Sequence, residues 1–244
     1  LESNINLNLD NKGKFSNDYN ISGFIKNGKI ELFNKKIINN INLNFKINKN
    51  QYQINNSKIE FKNIKATSEK IIVNKEKNYF LLKGNFKTSE DLINKEFLSY
   101  FLKNNMEESN ISDINLGSDN NFSFKIDKKF KITDIDFKSK INLKKLIYKN
   151  KNLTIKKYIP NYKNIIELNN HEIKLDFNQN QLSIHGEGNF LIAEKPEKVS
   201  YDVNLNNKGE YKFKSSAELK NNSLIIKILD YTKTDNKNGI FNLE

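Results

Sequence analysis

A chain of 244 residues with 41 lysines, no arginine, 29 acidic residues and a net charge of +12 is long enough for one large domain or two small ones. Its apolar content of 36% is low, the deficit being filled by lysine and 45 asparagines, yet the apolar residues are Ile, Leu, Phe and Tyr at strand period, which excludes disorder. The lack of cysteine removes disulfides and thiolate metal sites, and the lack of arginine removes the bidentate contacts of nucleic-acid readers, so no nucleic-acid partner is expected.

Residues 1–88 read as antiparallel strands at 4–9, 19–25, 28–33, 41–47, 51–61, 64–73 and 79–86, joined by short Asn-, Lys- and Gly-rich links. The Lys26-Asn27-Gly28 step predicts a type I′ hairpin. In the fourth strand Ile41, Leu43, Phe45 and Ile47 alternate with Asn42, Asn44 and Lys46, giving one dry face turned to a trough and one wet face turned to solvent. Residues 89–104 break the alternation. Thr88, Ser89 and Asp91 offer capping oxygens and Ile93, Phe97 and Phe101 recur at helical spacing, so an amphipathic helix is expected there, with a sub-repeat boundary near 88–110.

Strands resume at 111–117, 120–126, 130–137, 139–148, 151–159, 171–177, 181–190, 199–205, 209–219 and 222–231. Alternation is clearest at Phe122/Phe124/Ile126, Ile173/Leu175/Phe177, Tyr211/Phe213 and Leu224/Ile226/Ile228. The inward set is even-numbered through Phe130 and Ile132, odd through Ile135, Phe137, Ile141 and Leu143, and even again at Leu146 and Tyr148. A one-residue slip turns a strand's faces over, so each slip marks a bulge or a turn. Pro160 to Asn170 reads as the longest loop or a short helical turn.

Catalytic constellations are missing. His171 and His185 have no spaced partners for a metal, and Gly186-Glu187-Gly188 lacks the third glycine of a dinucleotide loop. The expectation is a non-enzyme without cofactor or metal. No run of 18 apolar residues is present, and the pattern is already under way at Leu1, so a segment of a longer protein is expected. The fold class implied is all-β and mainly antiparallel: a single elongated meander over 1–244, twisted and folded into a groove. Its lining candidates are Ile41, Leu43, Phe45, Ile47, Phe122, Phe124, Ile126, Phe137, Ile141, Leu143, Ile173, Leu175, Phe177, Tyr211, Phe213 and Ile226.

The stretch from Tyr19 to Phe86 carries a G-x-I-x-N-G-x-I-x-L hairpin at Gly23–Leu32, then Ile38-to-Ile47 alternation, then Tyr52-x-Ile54 and Lys77-x-x-Phe80-x-Leu82-x-Gly84-x-Phe86. In these motifs it resembles a repeat of the AsmA-like superfamily, its YhdP-type branch most of all, and the later segment "SKINLKKLIYKN" onward is similar to the region that follows. The resemblance implies a lipid-carrying β-groove in the periplasm, anchored to the inner membrane outside this chain, with phospholipid acyl chains and bacterial membranes as partners. Two other readings stand beside it: a structural or surface β-sandwich of adhesin type, and a lipopolysaccharide-transport bridge of jelly-roll type.

Overall fold

The computed structural model describes residues 1–9, 11–32, 36–62, 64–93, 110–150 and 153–244. Its strands are β1 (Glu2–Leu9), β2 (Phe15–Leu32), β3 (Lys36–Asn48), β4 (Gln51–Phe61), β5 (Ile64–Lys75), β6 (Tyr79–Ile93), β7 (Ile111–Asp127) and β8 (Ile132–Lys149). They continue with β9 (Ile165–Asn178), β10 (Gln181–Leu191), β11 (Pro196–Leu205), β12 (Tyr211–Glu218), β13 (Leu224–Ile226), β14 (Tyr231–Lys233) and β15 (Ile240–Leu243). The protein is all-β. One antiparallel sheet of 13 strands takes β1 to β12 in chain order and then β15, without closing into a barrel, while β13 and β14 pair as a separate hairpin. Short links leave each strand its sequence neighbour as the nearest partner, which is how a meander forms.

The strands are longer than the alternation alone implies, because asparagine and aspartate let them continue through changes of phase. In β2 the apolar positions are odd through Ile21 and Ile25 and even from Gly28 to Ile30. Ile25 pairs with Leu43 and Gly28 with Ile41, so one extra residue is absorbed on β2 at Asn27, whose φ is 50°. The same device recurs at Asn40 (φ 51°) in β3 and Asn56 (φ 49°) in β4, where the registers with neighbouring strands shift by one. Asp113, Asp134 and Asn170, each at φ 51°, stand at the phase changes of β7, β8 and β9. At Asn27, Asn40 and Asn56 these are β-bulges at a residue type that tolerates the left-handed region, and each bends and twists its strand while returning the apolar residues to one face. The slip between Ile132 and Ile135 falls at Asp134, whose backbone is left-handed like those of Asn27 and Asn40.

Several expectations are corrected. Lys26-Asn27-Gly28 is a bulge inside β2 and not a hairpin turn, because β2 keeps one partner, β3, on both sides of it. A turn with two left-handed residues does occur at Gln179 (φ 44°) and Asn180 (φ 75°), between β9 and β10. Residues 89–93 belong to strand β6 and not to a helix; the remainder of that expected helix, 94–104, lies outside the described residues. Leu153–Lys157 is a 3-10 turn where a strand was expected, and 222–231 holds β13, a second 3-10 turn (Lys227–Leu229) and the start of β14.

The chain divides into two compact units: Leu1–Ser89 with Asp119–Lys138 and Phe177–Gln179, and Glu90–Ser118 with Ser139–Asp176 and Asn180–Glu244. In the first unit Ile41 is the one hydrophobic residue that is fully buried among the described residues. The second has a closed cluster of Ile159, Tyr162, Ile192 and Ala193, with Ile155, Ile166, Phe190 and Leu224 packed against it.

Candidate functional site

In an antiparallel ladder, residues directly opposite one another project to the same side, so register traces a face from strand to strand. In the first unit one such face runs Ile5–Ile21–Ile47–Tyr52–Val73–Leu82, and beside it Ser3–Gly23–Phe45–Ile54–Ile71–Gly84. Ile25 and Leu43 extend it, and Gly28 packs toward Ile25 and Ile41. The ring of Phe122 lies over Gly84, and Phe86 stacks near Phe122 (centroids 6.2 Å apart) and Phe137 (6.4 Å), which carries the face onto β7 and β8. Phe124 is 5.7 Å from Phe122, and Ile126 follows at strand period. The opposite face reads Ser22–Lys46–Gln53–Ile72–Lys83 and Phe24–Asn44–Asn55–Lys70, polar in these rows apart from Phe24 and Ile72.

Thus Ile41, Leu43, Phe45, Ile47, Phe122, Phe124, Ile126 and Phe137 share one face of the first unit. Except for Ile41 they are half-buried, neither sealed in a core nor fully exposed. Asn44 and Lys46 are exposed as the alternation requires. Asn42 is not simply on the wet side: its Oδ1 accepts from the Asn27 amide (3.1 Å) and its Nδ2 donates to the Asn40 carbonyl (2.8 Å), tying two bulges together. Asn40 in turn donates to Glu60 Oε2 (2.8 Å). Phe177 is half-buried and also belongs to the first unit.

In the second unit the corresponding face is Leu182–Leu205–Tyr211, Ile184–Val203–Phe213, Gly186–Tyr201–Ser215 and Gly188–Val199–Ala217–Phe241. His171 lies over Gly188, so Ile173 and Leu175, at strand period from it, share that side. Tyr211 and Phe213 are 70% and 44% exposed, at the far end of the face. Ile141 is half-buried and Leu143 buried in β8. His171 is only 1% exposed: its Nε2 donates to the Asn189 carbonyl (2.9 Å), leaving Nδ1 to accept from the Tyr201 hydroxyl (3.4 Å). Burial lowers the His171 pKa, with the Asn189 hydrogen bond opposing, and burial raises that of Tyr201.

At one end of this unit the 3-10 turn Leu153–Lys157 and the β13–β14 hairpin wall an apolar cavity of about 430 Å³. Its lining is Ile155, Tyr158, Ile159, Phe190, Ile192, Ala217, Leu219, Leu224, Ile226 and Phe241. The two walls are tied by the Ile225 amide donating to the Tyr158 carbonyl (2.8 Å). Glu197, 3% exposed, holds the approach to the hairpin: Oε1 accepts from Asn221 N (2.7 Å), Asn222 N (2.8 Å) and Asn222 Nδ2 (2.8 Å), and Oε2 from Lys220 N (2.9 Å). Lys233, equally buried, donates to the carbonyls of Lys237 (3.0 Å), Thr234 (3.3 Å) and Lys220 (3.4 Å). Of this cavity the alternation picked out Leu224 and Ile226; the other lining residues come from separate strands, a 3-10 turn and the links beside them, a meeting that no local period signals. No cluster of metal-ligating side chains occurs among the described residues. Comparison of the chain with family models, with curated proteins and with solved structures finds no match.

Proposed function

We propose that this chain is a non-catalytic lipid carrier whose half-buried apolar face receives phospholipid acyl chains. By the AsmA-like resemblance it would do so in the periplasm, within a protein anchored to the inner membrane that serves transfer between inner and outer membranes. The observation that carries the reading is the unbroken apolar register of the first unit, Ile21–Ile47–Tyr52–Val73–Leu82, whose members stay half-buried. An apolar face that the chain does not cover costs free energy unless something apolar covers it. One acyl chain of about 16 carbons, at roughly 0.8 kcal/mol per buried CH₂, gains on the order of 10 kcal/mol there. The lysines of the opposite face, Lys46 and Lys70 among them, suit an anionic lipid surface.

The test is Phe45→Asp against Asn44→Asp, read by photo-cross-linking of phospholipid and by circular dichroism. A carboxylate on the apolar face should abolish cross-linking while the β-signal persists, because an accessible face lets the charge hydrate; Asn44→Asp on the polar face should change neither. Unfolding of Phe45→Asp would favour a sealed structural β-protein, and unaltered lipid loading by the folded variant would overturn the assignment of this face.

A further inference from the structure

The cavity beneath the β13–β14 hairpin is a different kind of place from the open face. Its walls come from four separate stretches of chain, 155–159, 190–192, 217–226 and 241, and no polar side chain lines it apart from Tyr158, which is 41% exposed. A volume of about 430 Å³ has room for roughly 16 carbons, and its lining offers a polar group almost nothing beyond the Tyr158 hydroxyl. A compact polar ligand is therefore excluded and a hydrocarbon tail fits.

The 3-10 turn specifies what lies at the other end of that tail. With three residues per turn, Ile155 and Tyr158 stand one above the other on the cavity side, and Lys156 and Lys157 between them are exposed. Phe241, 52% exposed, leaves the cavity open to solvent. Two cations therefore sit in the segment that forms the wall of a hydrocarbon pocket.

We propose that this cavity is a seat for one acyl chain of an anionic lipid, with the anionic head group outside against Lys156 and Lys157. The hairpin forms its far wall, clamped by Glu197 and Lys233, so the seat is built into the fold and is not a gap between loosely packed strands. This deepens the acyl-chain reading of the protein and rests on it, but names a site that the open face does not include.

The experiment uses palmitate with a photoreactive diazirine at its terminal carbon, and separately phosphatidylglycerol vesicles carrying the same chain, with cross-linked residues mapped by mass spectrometry. Label on the cavity residues Ala217, Leu224 or Ile226 is expected, from both probes if an esterified lipid can enter and from palmitate alone if the seat takes free fatty acids. Ala217→Phe fills the cavity and displaces about two or three methylenes, each worth about fourfold in affinity, so cavity labelling should fall by about 15- to 60-fold. Leu219→Trp provides the same test should Ala217→Phe fail to fold. Lys156→Glu with Lys157→Glu should weaken both probes and leave an uncharged analogue, palmityl alcohol with the same diazirine, unaffected. Label on Phe45 and Ile54 but none in the cavity, or cavity label indifferent to both filling variants, overturns this seat and leaves the open-face reading standing. Cavity label without any on Phe45 or Ile54 does the reverse, and no specific label in either place defeats both.

Discussion

Phe45 on β3 lies over Gly23 on β2, with its Cζ 2.8 Å from the point where a β-carbon on that glycine would stand. The same pairing of an aromatic ring with a cross-strand glycine recurs as Phe122 over Gly84, Tyr201 over Gly186 and His171 over Gly188. A glycine gives up its own side-chain packing and cedes that area to the neighbour's ring, which then lies down along the sheet. Gly186→Ala should therefore cost about 1–3 kcal/mol in urea unfolding through overpacking against Tyr201. In the double variant with Tyr201→Ala the alanine should cost far less. Simple additivity of the two losses would show that the ring is not what the glycine accommodates.

Asn40 tests the bulges. Its left-handed φ of 51° suits glycine, so Asn40→Gly should be nearly neutral in denaturant unfolding, losing only an exposed hydrogen bond to Glu60. Asn40→Val should cost about 1–2 kcal/mol, the penalty of a β-branched residue in that region. Deleting Asn40 should be worse than either, because it removes the phase change and turns one arm of β3 over, exchanging Ile41, Leu43 and Phe45 for their polar neighbours. A deletion as mild as the glycine variant would contradict the register.

The buried imidazole of His171 sets a pH dependence. Its pKa is lowered, first by burial, so the folded protein holds the neutral form while the unfolded chain protonates near its ordinary value of about 6.5. The unfolded state then binds more protons in acid, and the stability contributed by neutral His171 is present above that value and declines as pH falls below it. Urea midpoints measured from pH 7.5 down to 5.0 should drop in the wild type. In His171→Gln the acid-side decline should be smaller; an identical decline would place its origin elsewhere.

Glu197 predicts an asymmetry between its two conservative replacements. Glu197→Gln keeps one oxygen for the Asn221 and Asn222 donors but turns an amide NH₂ toward the Lys220 N–H, leaving a buried donor facing a donor. The expected loss is about 1–3 kcal/mol. Glu197→Asp keeps the charge but falls short of the turn, and should lose a similar amount together with hydrogen-exchange protection at residues 220–222. Protection unchanged in both variants would mean that the carboxylate does not hold the approach to the hairpin.

Alternation by itself determined that this chain is an antiparallel β-protein and which residues of each strand share a side, since a period of two follows from backbone geometry before any partner is chosen. It also bracketed a phase slip between Ile132 and Ile135, where Asp134 takes a left-handed backbone within β8. Partner choice was beyond it. Asn27-Gly28 satisfies a hairpin turn and a bulge equally well, and only the continued pairing of β2 with β3 selected the bulge. Ser89 to Ile93 offered caps and helical spacing, but Ala66 pairs with Thr88 and Lys144 forms an ion pair with Glu90, long-range contacts that hold β6 extended. The apolar cavity was least legible of all: Ile155, Ala217, Leu224 and Phe241 lie far apart in the chain and meet only where a 3-10 turn, a sheet and a hairpin are folded against one another, a juxtaposition for which no local periodicity exists.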